Sequence, residues 1–236
     1  MHLIGSKRSP KLARMLRIDW REASWPMAKD DKYGERSLPI SNLLQLDDRK
    51  HRPAIVYIRG LIDFEDRMAY EEKIFGSEEI VLATRFFRCF EIDAREIRDE
   101  RIEKQYLKKV PVLLFLDARG EEVARLAGKK SASAFRSAMN RVFAAHYKAS
   151  MSKVLAAMED LVDEVQKAED RVADASVLLV GVKARIDDRE GEAADKKVDK
   201  RQQAYDEAVA EFEKLLDRLV ELSNPPLLRE DLAKDG

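Results

Sequence analysis

The sequence predicts an α/β domain followed by a long helical coiled coil, and two observations lead to this fold class. Between residues 54 and 126, four apolar runs of strand length alternate with segments of helical periodicity. After residue 129 neither glycine nor proline occurs until Gly181, and apolar residues recur with a seven-residue period. The first pattern is typical of a sheet covered by helices, and the second of helices that pack side by side.

The composition limits the class of protein. Charged residues make up 38% of the chain, and its 44 basic and 45 acidic side chains nearly cancel, so net charge gives no support for a general polyanion-binding role. No apolar stretch approaches the ~18 residues that a membrane-spanning helix needs. The start of the chain also lacks the apolar core of a secretion signal. We therefore expect a cytoplasmic protein without a transmembrane segment.

Residues 1–50 are predicted to be a basic extension that docks on the following domain. Residues 7–21 hold six lysines and arginines against a single acid, Asp19. Trp20 and Trp25 are the large apolar side chains expected to dock. The basic segment could make salt-sensitive contacts with anionic lipid or nucleic acid, but an ordinary solvated extension is the favoured interpretation.

Residues 51–148 are predicted to form the α/β domain, with element order βαβαββα. The predicted strands are 54–58, 86–92, 110–116 and 122–126, and the predicted helices are 62–75, 94–106 and one that follows Ser131 or Ser133. Strands that alternate with helices form a parallel portion of sheet, while a tight turn makes the last two strands an antiparallel hairpin. A short helix is expected after Pro10, and residues 24–52 are predicted to be irregular.

Residues 104–128, which begin KQYLKKVPVLLFLDARG, resemble the second half of bacterial thioredoxin-family proteins. The resemblance covers roughly residues 50–148 and implies a thioredoxin-like fold. In that family the proline that corresponds to Pro111 has a cis peptide bond and lies beside the active site. Such bonds are uncommon and are usually retained for a geometric reason.

The resemblance also shows which residues stand where the family has its two redox cysteines. Without gaps these positions are Asp63 and Asp66, and with one inserted residue they are Phe64 and Arg67. Neither pair offers a thiol, and thiol–disulfide exchange requires a thiolate that attacks sulfur. The sequence therefore predicts a redox-inactive protein that is not an enzyme and needs no cofactor.

Cys89 is the only cysteine of the chain and lies in a predicted strand between Phe87 and Phe90. One thiol cannot form an intramolecular disulfide, which favours a reducing compartment. Its apolar neighbours favour a structural role over redox sensing.

Other polar residues give weaker indications of a site. Asp63, Glu65 and Asp66 could hold a cation or meet a basic partner, but acids also accumulate at helix N-termini for electrostatic reasons, and we favour this capping interpretation. The three histidines stand in unrelated contexts and predict no metal site: His2, His51 and His146.

Residues 149–222 are predicted to form coiled-coil helices, followed by a tail over 223–236. Eleven successive a and d positions are apolar: Met151, Val154, Met158, Leu161, Val165, Ala168, Val172, Ala175, Leu179, Val182 and Ile186. After a polar break near 188–193 the register resumes with one exception, Arg201: Ala194, Val198, Arg201, Tyr205, Ala208, Phe212, Leu215, Leu219 and Leu222. A continuous helix from about residue 133 to 188 would be ~84 Å long.

Two geometries fit the break between the helices. It can be a turn that folds the second helix back as an antiparallel hairpin, or a kink within a longer coiled coil of two chains. A short polar connection with a glycine favours the hairpin. Leu155, Val162 and Leu178 widen the apolar stripe, so a second face could serve a partner or a second copy.

The leading functional prediction is a protein-interaction or scaffold module. An extended polypeptide would bind a groove formed by seven residues: Gly60, Asp63, Phe64, Asp66, Arg67, Val110 and Pro111. The coiled coil would mediate self-association or partner binding. Two alternatives stay open: a structural spacer, and a glutathione- or peroxide-handling enzyme that would depend on a hydroxyl such as that of Tyr57 or Tyr70.

Overall fold

The fold divides into two compact units, residues 1–155 with 225–236 and residues 156–224. The computed structural model describes residues 8–9, 12–13, 16–30, 34–46, 52–60, 63–186 and 192–228. The boundary at 155/156 lies inside a helix, whereas the sequence placed it at 149. Most of the predicted tail is grouped with the first unit.

The elements of the first unit follow the predicted alternation, with additions. Its strands are β1 (Trp20–Glu22), β2 (Met27–Asp30), β3 (Gly34–Ser37), β4 (Ala54–Arg59), β5 (Arg88–Asp93), β6 (Val112–Leu116) and β7 (Glu122–Ala127). Its α-helices are α1 (Phe64–Phe75), α2 (Glu78–Thr84), α3 (Glu100–Tyr106) and α4 (Ala132–His146). Short 3₁₀ helices occur at Ile40–Leu46, Ala94–Glu96 and Leu107–Lys109.

A five-stranded mixed sheet with strand order β1-β5-β4-β6-β7 forms the centre of this unit. The β1–β5 and β5–β4 pairs are parallel, and the β4–β6 and β6–β7 pairs are antiparallel. The predicted α/β class, the parallel portion and the closing hairpin are therefore confirmed. The Val110–Pro111 peptide bond is cis, as the resemblance implies.

The two middle strands, β4 and β6, are buried on both faces, which explains their continuous apolar sequences. On one face Val56 and Leu114 join the cluster that contains Trp25 and Leu43. On the other face Tyr57 packs against α1 and Phe115 against α4. Helices α1 and α4 thus cover one face of the sheet, and the N-terminal segment together with α3 covers the other.

The N-terminal segment is more regular than the sequence predicted. Trp20 pairs with Cys89 in β1, which adds an edge strand, and β2 and β3 form a small antiparallel ribbon from Met27↔Ser37 to Asp30↔Gly34. The prediction that residues 24–52 are irregular is therefore wrong in part. These strands have only three or four residues, too few to show a periodicity. The predicted helix after Pro10 lies largely outside the described residues.

Side-chain caps explain two further differences in the helices. Asp93 and Asp99 each accept a hydrogen bond from a backbone N–H two residues later, so the predicted helix over 94–106 is a 3₁₀ turn followed by α3. Ser77 caps the additional helix α2. Because α2 and its turn extend through Phe87, the second predicted strand begins at Arg88.

The prediction of one helix from 133 to 188 is wrong, because the chain leaves the helical conformation at Tyr147. Tyr147 is extended and forms a β-bridge with Leu227. The Lys148 N–H donates to the Pro226 carbonyl at 3.0 Å, and the Leu228 N–H donates to the His146 carbonyl at 2.9 Å. These tertiary partners replace helical hydrogen bonds, so the break needs no glycine or proline.

The second unit consists of parts of two long helices, α5 (Met151–Ile186), which begins in the first unit, and α6 (Glu192–Leu222). Two side-chain contacts join them: Arg171 to Glu211 at 3.0 Å and Lys183 to Gln202 at 3.3 Å. None of the described helices combines the length and apolar character needed to cross a membrane.

The predicted seam residues of the two helices differ in how far they are buried. The buried seam residues are Met151, Met158, Leu161, Val165, Ala168, Leu179, Phe212 and Leu219. The half-buried ones are Val154, Val172, Val182, Val198, Tyr205 and Leu215. The side chain of Ile186 and most of the break near 188–193 lie outside the described residues. Leu155 and Val162 are buried, whereas Leu178 is exposed.

Candidate functional site

The predicted groove lies at the carboxyl end of β4, where open α/β sheets commonly bind ligands. Gly60 follows this strand and lies directly against the residues that precede β6. A Cβ atom at Gly60 would come within 3.1 Å of the Val110 Cβ and 3.2 Å of the Pro111 nitrogen. The structure therefore brings these three predicted residues together, and their close approach is tight for any residue larger than glycine.

Two acidic residues at this end of the sheet, Asp63 and Asp66, take part in a helix cap and an ion pair. The Asp63 carboxylate accepts a hydrogen bond from the Asp66 N–H at 3.0 Å, which is the predicted cap. Asp66 pairs with Lys129 at 3.1 Å on the surface. Within the described residues, no group of three or more His, Cys, Asp or Glu side chains could hold a metal ion.

Phe64 and Arg67 form a pair on the first turn of α1, in which Phe64 is exposed and Arg67 is half-buried. The Phe64 side chain is 64% exposed, which is unusual for a large apolar residue. The Arg67 guanidinium lies 5.3 Å from the centre of the Phe64 ring, within the range of a cation–π contact. This pair presents an aromatic ring and a partly buried cation at the N-terminal end of α1.

A cavity of about 400 Å³ opens beside this pair and was not predicted from the sequence. Its walls come from the N-terminal segment, β4, β5, α1 and α2. Its lining residues are Leu16, Arg17, Ile18, Trp20, Tyr57, Arg59, Phe64, Arg67, Met68, Glu71, Phe75, Gly76, Val81 and Glu91. Phe64 and Arg67 thus belong to both the predicted groove and the cavity.

Three aromatic rings form a continuous apolar wall of the cavity. Phe75 lies 5.3 Å from Trp20 and 5.4 Å from Tyr57, and Trp20 lies 5.7 Å from Tyr57, as ring-centroid distances. Tilted and edge-on arrangements at these distances are favourable. The edge strand β1 therefore contributes to the cavity by placing Trp20 against α1.

Paired charges also line the cavity. Arg59 contacts Glu91 at 3.2 Å, and the Tyr57 hydroxyl donates to Glu71 at 3.1 Å. Burial raises the pKa of Glu91 above its ordinary value, and the positive charge of Arg59 opposes this rise. Burial and the adjacent Glu71 carboxylate raise the pKa of Tyr57. Its hydroxyl therefore stays protonated at neutral pH.

Arg17 also lines the cavity, although the sequence assigned it to a solvated basic segment. Its Nε–H is buried and has no hydrogen-bond partner in the described part of the chain. Elsewhere in that segment, Arg8 pairs with Glu78 of α2 at 2.7 Å. Lys7, Lys11 and Arg14 lie outside the described residues. Three of the six predicted cations therefore have specific positions against the domain, Arg8, Arg17 and, in β1, Arg21.

Cys89 and the remaining candidates lie away from the groove. Cys89 is in the middle of β5, 3% exposed, with its thiol 3.8 Å from the Thr84 carbonyl oxygen. The Tyr70 hydroxyl accepts a hydrogen bond from the Lys130 N–H at 3.5 Å, and burial raises its pKa. His146 is buried against Tyr147. His2 and His51 lie outside the described residues.

No protein-family model matches the chain, and no curated protein matches it at a significant level. Among solved structures, a protein described as DsbH oxidoreductase is similar over 45% of this chain and 83% of that chain. The two are 16% identical, with a TM-score of 0.32. A similarity this low assigns neither a family nor an activity to the chain.

The burial of Cys89 leads to a first prediction. In the folded protein, the thiol is expected to react with Ellman's reagent at least roughly a hundredfold more slowly than in guanidinium chloride, because labelling requires the strand to open. Absorbance of the released thiolate measures both rates. Equal rates in the two conditions would show that the thiol is accessible and would contradict its structural role.

Proposed function

We propose that the first unit is a redox-inactive, thioredoxin-like module that binds an extended polypeptide at the predicted groove. The observation that carries this proposal is the contact between the exposed ring of Phe64 and the half-buried guanidinium of Arg67, on the helix that follows Gly60 in the chain. Phe64 offers apolar area, Arg67 offers hydrogen-bond donors, and both lie on the helix that follows the carboxyl end of β4. Exposed aromatic and arginine side chains of this kind dominate the energetics of many protein interfaces.

The arrangement of sulfur and hydroxyl groups supports binding over catalysis. The chain has one cysteine, which is buried in β5, and positions 63, 64, 66 and 67 carry no thiol. Disulfide exchange with a resolving cysteine in the same chain is therefore impossible. The glutathione- or peroxide-handling alternative is less favoured because burial raises the pKa values of its candidate hydroxyls, Tyr57 and Tyr70, and the Glu71 carboxylate beside Tyr57 raises the pKa of that hydroxyl further. The single thiol is also in keeping with a reducing, cytoplasmic location.

We further propose that α5 and α6 form an antiparallel coiled-coil hairpin within one chain. The Arg171–Glu211 and Lys183–Gln202 contacts support it, since the residue number rises along α5 as it falls along α6. Val177, Leu178 and Val180 stay exposed on α5 and offer apolar area to a partner or a second copy. A spacer role for the helices would leave this area without a function.

Site-specific photo-crosslinking tests the groove. With benzoylphenylalanine in place of Phe64, we expect crosslinked adducts with a defined set of polypeptides in lysate. The control carries benzoylphenylalanine in place of Lys104, which is exposed, and should form none of these adducts. Arg67→Glu should reduce the Phe64-site adducts at least fivefold, because it reverses the charge beside the aromatic ring. The same adducts at both sites, or catalytic reduction of insulin by the unmodified protein, would contradict the proposal.

A further inference from the structure

Of the three arginines that line the cavity beside the groove, Arg17 is the one without an ion pair among the described residues. Of the charged residues in its lining, Arg59 contacts Glu91 at 3.2 Å and Arg67 lies 3.8 Å from Glu71. Like those of Arg59 and Arg67, the Nε–H of Arg17 is buried and has no hydrogen-bond partner in the described residues, but Arg17 also lacks the neighbouring carboxylate that the other two arginines have. A buried guanidinium N–H without a partner is costly, so a ligand that accepts its hydrogen bond would be stabilised there.

The rest of the cavity is suited to an apolar body. Its aromatic wall of Trp20, Tyr57 and Phe75 continues into Met68 and reaches the exposed ring of Phe64. Its volume of about 400 Å³ lies at the lower end of the range for small-ligand sites, roughly 300–1,000 Å³. A ligand of this size can fill the apolar part while a single polar group reaches Arg17.

The charges of the lining select the kind of polar group. Among the lining residues, three arginines and two glutamates leave one excess positive charge, and because Arg59 also lies 3.6 Å from Asp93, Arg17 is the arginine available to a monoanion. A dianion such as a phosphate monoester would meet repulsion from Glu71 and Glu91. A carboxylate carries one charge and accepts hydrogen bonds from a guanidinium in a strong, well-oriented pair.

We propose that this cavity binds an apolar group that carries a carboxylate, with the carboxylate on Arg17 and the apolar body against Trp20 and Phe75. Two sources supply this chemistry: a free apolar carboxylic acid, and the hydrophobic C-terminal residue of a polypeptide. A C-terminal residue would join the cavity to the groove through Phe64 and Arg67, and in that form the inference rests on the proposed function.

Binding of matched acid and amide probes tests this inference in the full chain. Trp20 lines the cavity, so its fluorescence should change when a probe binds, and calorimetry gives the affinity. We expect 3-phenylpropionate to bind at least tenfold more tightly than 3-phenylpropionamide. A tetrapeptide that ends in phenylalanine should show the same preference for its free carboxylate over its amide. A peptide acid that binds tenfold more tightly than 3-phenylpropionate identifies a polypeptide terminus, and the reverse order identifies a free acid.

Two variants and a control test where the ligand binds. Arg17→Met keeps the apolar stem and should abolish the preference for the acid, whereas Arg101→Met removes an exposed arginine outside the cavity and should preserve it. Met68→Trp should fill the cavity and weaken both probes at least tenfold, with circular dichroism as the check of folding. Equal binding of acid and amide, no binding of either, or an acid preference that survives Arg17→Met would overturn the inference. None of these results bears on crosslinking from position 64, so the two proposals fail separately.

Discussion

Replacing Tyr147 with alanine is expected to lower the free energy of unfolding of the first unit by about 4 kcal/mol, the usual cost of removing a large buried aromatic side chain. Tyr147 is 3% exposed, and its ring lies 4.6 Å from that of Phe143. Its hydroxyl donates to the Phe86 carbonyl at 2.8 Å. The substitution therefore removes ring contacts and leaves a buried carbonyl without this donor.

Tyr147→Phe separates these two effects. It keeps the ring and removes the hydroxyl, so a loss of about 1–2 kcal/mol is expected. Phe64→Ala is the control in the same unit, because Phe64 is 64% exposed and its removal should cost less than about 0.5 kcal/mol. Both tryptophans lie in the first unit, so their fluorescence in urea follows this unit. A loss below about 1 kcal/mol for Tyr147→Ala would contradict the packing described here.

Tyr147 also shows why a sequence pattern can fail at a helix end. The apolar repeat and the lack of glycine and proline predicted a continuous helix through residue 147. The actual end depends on hydrogen bonds of residues 146–148 with 226–228, about 80 positions later in the chain. Local propensity carries no information about such partners. The strands β4 and β6 were predictable because burial on both faces requires a continuous run of apolar residues within each strand.

The candidate site also has a part that the sequence predicted and a part that it did not. Gly60, Val110 and Pro111 were grouped through the resemblance, and the structure brings them together. The cavity was missed because its polar and aromatic walls come from separate segments, with Arg17 and Trp20 near the start and Glu91 in β5. A three-residue edge strand positions Trp20, and a strand that short shows no period in the sequence. Pairing between distant segments could not be predicted from local patterns.

Val165→Asp is expected to have the largest effect in the second unit. Val165 has 0% exposure within α5, so an aspartate would either bury its charge or force the helix away from its neighbours. A loss of about 4 kcal/mol or more is expected, at the upper end for single substitutions. Ala173→Asp is the matched control, since residue 173 is exposed in the same helix. Circular dichroism at 222 nm should fall strongly for the first variant and remain near the unmodified value for the second.

The concentration dependence of the same unfolding transition distinguishes a hairpin within one chain from a coiled coil between two chains. An intramolecular pair of α5 and α6 unfolds at a midpoint independent of protein concentration, whereas a dimer is stabilised by mass action and its midpoint rises with concentration. We expect the unfolding midpoint to stay constant when the protein concentration is raised from about 1 to about 100 μM. The reason is that the Arg171–Glu211 and Lys183–Gln202 contacts form within the chain. A midpoint that rises with protein concentration would show that the buried seam residues pack against a second copy of the chain. In that case Val165→Asp would disrupt dimerisation.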